Sequence, residues 1–451
     1  MSQRIRSASV ALYLLLCILL GGSAQGVWNN LALQLLGIAL AASAAILVVP
    51  ADGEGDSARG VYILLGLGLL LVLLQLVPMP ANLWSGLPGR QELSRSYSLI
   101  GYPAPALPLS MAPYRSVMTL FALIPAVAVF AAAKLLRASP RWLALAIVTG
   151  TGCGIVLGAL QVGNGQGSWA YLYDFTNGGA VGQFANRNHM GELLLLAIPF
   201  GVALLTSGKS TAGGSAQAKV AIGAAALLLI VVGIALNGSL TAIALLLPVT
   251  LASASLIPAA VRWRSLALPV AGIALVGAVA LVAVNPIPAV VSDLGATTSV
   301  QTRGEIWGTT TRAIRDTFPA GSGLGTFEQA YRQYEDPSQV NNRYVNHAHN
   351  DYLELALELG LPGIVLMVLF LAWWSIAAAR AWTSPLTTAF GRAATIASAV
   401  TLAHSIVDYP LRTGAISAIF GACLALMAQR LRSEPSARTG EMRPTRHVKL
   451  G

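Results

Sequence analysis

The chain has 451 residues, 55% hydrophobic and 10% charged, with 28 Lys and Arg against 18 Asp and Glu, and a mean hydropathy of +0.67. A soluble globular domain carries about a quarter charged residues, so a water-soluble fold has nowhere to bury this much apolar surface. The formal charge of +10 does not point to nucleic acid, because the basic residues stand in short clusters between apolar runs rather than along one face; they read as topology signals and contacts to lipid head groups.

Along the chain, Arg4 and Arg6 precede an apolar run from Val10 to Leu20, and Gly22-Ser23-Ala24 resembles a signal-peptidase site. We read this run as a retained first helix, since the loop charges alternate correctly only if it is counted. Apolar runs follow near 31–50, 60–78, 115–136, 142–162, 189–207, 218–236, 239–259, 266–288, 355–377, 388–404 and 413–430. Each approaches the roughly 20 residues needed to cross a hydrocarbon layer of about 30 Å. In lipid every backbone N–H and C=O must be satisfied within its own segment, which leaves helices as the open-ended solution. The expected fold is therefore an all-α polytopic membrane protein of about 12 transmembrane helices. It comprises one bundle over 1–430, a long and partly helical loop over 289–352 between helices nine and ten, and a basic tail over 431–451. Cys17, Cys153 and Cys423 all lie inside apolar runs, which supports neither a disulfide framework nor a thiolate metal site.

Orientation follows the positive-inside rule. With the N-terminus cytoplasmic, Lys134, Arg137 and Arg141, then Lys209 and Lys219, Arg262 and Arg264, Arg380 and Arg392 all fall inside, as does the tail with Arg430, Arg432, Arg438, Arg443, Arg446 and Lys449. The acidic link with Asp52, Glu54 and Asp56 also falls inside, where carboxylates weigh little in this rule. The outer side holds three stretches: Met79 to Tyr114, Gly163 to Asn188, and the long loop. That loop has five arginines against seven carboxylates between Pro286 and Tyr352.

Polarity concentrates on this outer side. Thr302 to Phe318 reads as an amphipathic helix, with Ile306, Trp307, Thr310, Ile314 and Thr317 on one face and Glu305, Arg312 and Asp316 on the other. Arg303 falls in the middle of the apolar face. It either snorkels, pairs with a loop carboxylate, or binds an anion, because an unpaired buried charge costs several kcal/mol. Arg187, flanked by Asn186, Asn188 and His189, is either an interfacial anchor or a second anion ligand; two planar guanidinium forks suit a pyrophosphate. The glycines of Gly321-Ser322-Gly323-Leu324-Gly325-Thr326-Phe327 read as a tight turn, with a backbone-amide anion nest as the alternative. Asp351 and Glu354 have capping-box spacing. His347 and His349 find no third metal ligand, and a neutral imidazole suits a general base for a sugar hydroxyl. Glu192 and Glu358 are the intramembrane acids to note, and His404 and Asp408, four apart, read as a structural pair at a helix end.

These strings, from Gly182-Gln183-Phe184-Ala185-Asn186-Arg187-Asn188-His189, through Arg303 and Trp307 to the glycine-rich segment, then His347-Ala348-His349-Asn350-Asp351-Tyr352-Leu353-Glu354 and Glu358-Leu359-Gly360-Leu361-Pro362-Gly363, resemble the O-antigen ligase and polymerase superfamily in order, sidedness and spacing over residues 60 to 430. The resemblance implies a metal-independent, cofactor-free, inverting glycosyl transfer at the periplasmic face of a bacterial inner membrane. The donor would be an undecaprenyl-diphosphate-linked glycan, and the acceptor lipid A-core or another glycan. Arg187 and Arg303 would hold the diphosphate and His349 would activate the acceptor hydroxyl. Asn186, Asn188, His347 and Asn350 would contact substrate. Ligation, polymerisation and protein O-glycosylation all fit this pattern, and from another class so does a flippase for lipid-linked glycans. The expected partners are donor, acceptor and membrane lipids, with no nucleic acid.

Overall fold

Runs of Leu, Ile, Val and Ala become helix almost throughout. The computed structural model is 73% helix and 1% strand and describes residues 2–24, 27–48, 58–174, 176, 179–207, 216–258, 296–339 and 344–428. In chain order these residues form α1 (Gln3–Leu20), α2 (Trp28–Ile46), α3 (Arg59–Leu76), β1 (Pro78–Met79), α4 (Ala81–Trp84), α5 (Gln91–Leu99), β2 (Leu107–Pro108), α6 (Pro113–Ala122), α7 (Ile124–Leu135), α8 (Pro140–Asn164), α9 (Arg187–Thr206), α10 (Ala216–Asn237) and α11 (Leu240–Ala254). There follow α12 (Ala296–Thr317), α13 (Phe327–Arg332), α14 (Asp351–Thr383), α15 (Ala389–His404) and α16 (Gly414–Met427). Strands β1 and β2 pair antiparallel, Pro78 opposite Pro108.

Among the described residues eight helical stretches are long and apolar enough to cross a membrane: α1, α2, α3, Pro113–Leu135, α8, α9, Gln217–Asn237 and α14. Pro113–Leu135 is α6 and α7 in sequence rather than one unbroken helix. Pro125, in the first turn of α7, has no N–H to continue the ladder from α6. The runs expected at 239–259, 388–404 and 413–430 appear as α11, α15 and α16, of 15, 16 and 14 residues. The run at 266–288, the start of the long loop at 289–295 and the tail at 431–451 lie outside the described residues.

The bundle is organised around α9. Its span is 72% buried, against 17% for α2 and for α3, and it packs on α8, α10, α11 and α15. Small residues let the backbones close in, as expected where helices meet without a hydrophobic gain from leaving lipid. A Cβ at Gly421 in α16, for instance, would collide with the Ala126 carbonyl of α7.

Over one end of the bundle the loop folds into a cap with its own small core of Ile306, Ala313, Phe327, Ala330, Tyr331, Ala348 and Leu357. The expected amphipathic helix is α12, and its predicted inner face is realised: Ile306, Thr310 and Thr317 are buried while Glu305, Arg312 and Asp316 are exposed. Trp307 Nε1 donates to the Ala348 carbonyl at 3.0 Å, tying α12 to the strand of chain that carries both loop histidines.

The glycine-rich segment is a turn. Gly321, Gly323 and Gly325 all take positive φ. The amides of Ser322 and Gly323 donate to the carbonyls of Leu357 and Glu358 at 2.9 and 2.8 Å, and that of Leu324 donates to Gln75 Oε1 at 3.1 Å. These N–H groups already have protein acceptors, so the anion-nest alternative finds no support. The turn wedges into α14, whose Gly360 leaves helical geometry at φ 59°. A Cβ there would strike the Pro319 carbonyl.

Candidate functional site

Three chain segments converge beneath the cap: the start of α9, the approach to α14, and the link 405–413 between α15 and α16. Asn186 caps α9 by accepting from the Asn188 amide at 2.9 Å. Asn350 caps α14, its side chain accepting from the amides of Tyr352 and Leu353, both at 3.0 Å. The capping-box reading of Asp351 and Glu354 is thereby corrected. Both acids sit one residue further into the helix than that motif requires, and both face other partners.

His349 takes a left-handed backbone, φ 49°, a conformation rare outside glycine and held only where the surroundings enforce it. Its Nδ1 lies 3.1 Å from Asp408 Oδ1, and the ring is 26% exposed while the carboxylate is wholly buried. A carboxylate can only accept here, so Nδ1 carries the proton and Nε2 is the nitrogen with a free lone pair. Asp408 is held on every side: the Tyr409 amide donates to Oδ1 at 3.0 Å and Asn188 Nδ2 to Oδ2 at 2.6 Å. Burial alone would raise its pKa. The hydrogen bond from His349 and the nearby rings of His349, His189 and His404 outweigh it and hold the carboxyl well below its usual range.

Tyr409 is the hub. Its ring meets His347 at 4.2 Å, His349 at 5.0 Å and His189 at 5.2 Å between centroids, and its hydroxyl faces the side chains of Asn346 and Asn186. Burial, followed by the charge on Asp408, pushes the phenol upward, so it stays neutral. His347 turns to Glu354, Nδ1 to Oε1 2.8 Å, and the second oxygen of that acid accepts from the Ala348 amide.

Deeper in, Glu192 of α9 reaches α15. Its Oε2 lies 2.5 Å from His404 Nδ1, and its Oε1 accepts from Thr401 Oγ1 at 2.7 Å. His404 Nε2 faces Asp408 Oδ2 at 3.9 Å. The expected His404–Asp408 pair is thus the weaker contact of each residue; Glu192 and His349 are the closer partners. His189 is buried with neither ring nitrogen hydrogen-bonded.

The arginines divide sharply. Arg412 meets Glu358 at 3.0 Å, Glu354 at 3.3 Å and Asp351 at 3.7 Å. Burial works against its charge, yet the three carboxylates outweigh it and raise its pKa. Arg187 and Arg303 are partly buried, and neither guanidinium has a carboxylate within ion-pair distance among the described residues. Arg187 stands at the first turn of α9, against the Gly238 turn; Arg303 is near enough for its charge to act on His404.

Of the residues singled out in the sequence, His347, His349, Asn186 and Asn188 all touch the Asp408–Tyr409 cluster. Asn350 caps the helix beside it, Arg187 follows Asn186 at the start of α9, and the charge of Arg303 reaches His404. Asn188 and Asn350 already hold protein partners. Tyr409, Arg412 and the Glu192–His404 contact were not anticipated. A signal existed: Arg412 is a lone arginine between two apolar runs on the side where the positive-inside rule expects few.

Such a bundle, with ionisable side chains gathered at one mouth under a helical cap, defines a polytopic membrane protein with a polar site at the bundle end. A family model described as O-antigen ligase matches residues 225–368, a segment that holds Arg303, His347, His349 and Asn350. Over that segment the chain is similar to the O-antigen ligase superfamily, a likeness that supports a glycosyltransferase-like membrane enzyme using a lipid-linked glycan donor and a glycan acceptor. No curated protein matches the chain.

Proposed function

We propose that the chain transfers a glycan from an undecaprenyl-diphosphate carrier to an acceptor hydroxyl at the periplasmic face of the inner membrane, as an O-antigen ligase does. The observation that carries this reading is a carboxylate-backed imidazole, His349 on Asp408; Arg187 and Arg303, which have no carboxylate at ion-pair distance among the described residues, support it. The acceptor oxygen attacks the anomeric carbon from the face opposite the diphosphate, inverting it. As the carbon–oxygen bond to the carrier breaks, its electrons pass to the diphosphate. His349 Nε2 takes the acceptor proton, and Asp408 stabilises the imidazolium that results. Arg187 and Arg303 meet the charge that grows on the leaving diphosphate. Protein groups supply both the base and the anion clamp, with no metal step. Asn186 and His347 flank the acceptor; Asn188 and Asn350 act by holding Asp408 and the start of α14. The same reading has about 12 spans, both termini cytoplasmic, and the 289–352 loop periplasmic.

The test is a reconstituted assay: the full chain in nanodiscs, undecaprenyl-diphosphate-linked glycan, and lipid A-core. The expected result is a larger glycolipid that is lost in Arg187→Ala, Arg303→Ala and His349→Ala. Movement of labelled donor between leaflets with no larger product would replace this reading with a flippase.

A further inference from the structure

Four ionisable side chains form a line that runs inward from the site: His349, Asp408, His404, Glu192. The steps are 3.1, 3.9 and 2.5 Å, and exposure falls from 26% at His349 to 0, 2 and 0% along the line. The role of His349 in transfer is already proposed above; the inner pair has no role there. Glu192 and His404 do fasten α9 to α15, but that needs one ring nitrogen. The other, Nε2, is buried without a hydrogen bond and is aimed at Asp408. Intramembrane ionisable groups are functional by default because lipid disfavours them so strongly.

We propose that Glu192 and His404 are positioning residues which, through Asp408, set how strongly His349 holds a proton. The ring of His404 has a carboxylate on each side, an arrangement that favours the imidazolium. That cation draws part of the field of Asp408 away from His349. The other ionisable groups facing this line are His189 from α9, Arg303 from α12, and Tyr409 beside Asp408. His347, with Glu354 and Arg412, forms a separate group on the far side of Tyr409. The inference deepens the transfer reading and rests on it for its biological meaning, but its test requires no turnover.

Diethyl pyrocarbonate acylates neutral imidazoles. Its rate at His349, followed against pH by peptide mass spectrometry on the full chain in nanodiscs, reports the protonation of that ring directly. Glu192→Gln keeps a hydrogen-bonding partner for His404 but removes the charge that sustains the imidazolium, and His404→Gln removes the ring. Both variants should move the His349 midpoint upward by about one pH unit, as expected for loss of a nearby opposing charge, while the His347 midpoint stays in place. A His349 midpoint that is unmoved or lowered in either variant overturns the inference, as does an equal shift at His347, which would mark general loosening. The transfer reading stands or falls separately, on whether His349→Ala still makes product.

Discussion

Arg412 and the pair Arg187–Arg303 occupy the same end of the bundle, yet their surroundings are opposite. Arg412 has three carboxylates around one guanidinium, so its charge is matched within the protein and the link 405–413 is pinned to α14. Arg187 and Arg303 are partly buried and have no protein carboxylate at ion-pair distance among the described residues. A guanidinium closed off by acids holds a fold together, whereas one left open in a half-enclosed place is suited to an anion from outside. Arginine content alone does not distinguish the two; the count of acids around each does.

The comparison is most exposed to failure at Arg412. Arg412→Ala should lower stability by about 3–5 kcal/mol, the usual loss when one partner of a buried ion pair is removed, read as a fall in the thermal midpoint in detergent. Arg187→Ala and Arg303→Ala should leave that midpoint within about 0.5 kcal/mol of the parent while reducing glycan transfer about 10²–10³-fold. If either unfolds the chain as Arg412→Ala does, the division between the two kinds of arginine is wrong.

A smaller effect is expected at Asp408. Asp408→Asn keeps the shape but removes the charge that supports an imidazolium at His349, and kcat should fall about 10²-fold with KM little changed. Stability should also depend on pH through this residue. Its folded pKa lies below the unfolded value of about 3.9, so the unfolded chain takes up the proton first as pH falls. The stabilisation is therefore complete above about pH 5 and is lost progressively below about pH 4. Asp408→Asn should flatten that part of an acid denaturation curve, and an unchanged curve would show that the carboxylate contributes nothing there. The smallest change expected is in Trp307→Phe, which deletes the bond to the Ala348 carbonyl. It should cost about 1 kcal/mol and raise hydrogen exchange around His349 more than around Arg187.

Several parts of this molecule were legible in one dimension because they depend on local periodicity. The apolar runs had to become helices, and the inner face of α12 could be read from the 3.6-residue repeat; Ile306, Thr310 and Thr317 are buried as that repeat requires. His349, Arg187 and Arg303 stood out because polar residues are scarce in such a chain. The spacing of Asp351 and Glu354 misled for a related reason. A three-residue interval fits a capping box, but it equally serves two acids on successive turns facing one arginine, and Asn350 was the stronger cap.

Composition and pattern by themselves determined that the chain is a helical membrane protein, because lipid admits few alternatives for the backbone. The tertiary structure decided which polar residues are partners. Glu192 and His404 are 212 residues apart, His349 and Asp408 are 59 apart, and no local rule couples them. Only the packing of α9 against α15, with the link to α16 beside them, brings a buried carboxylate to the imidazole of His349.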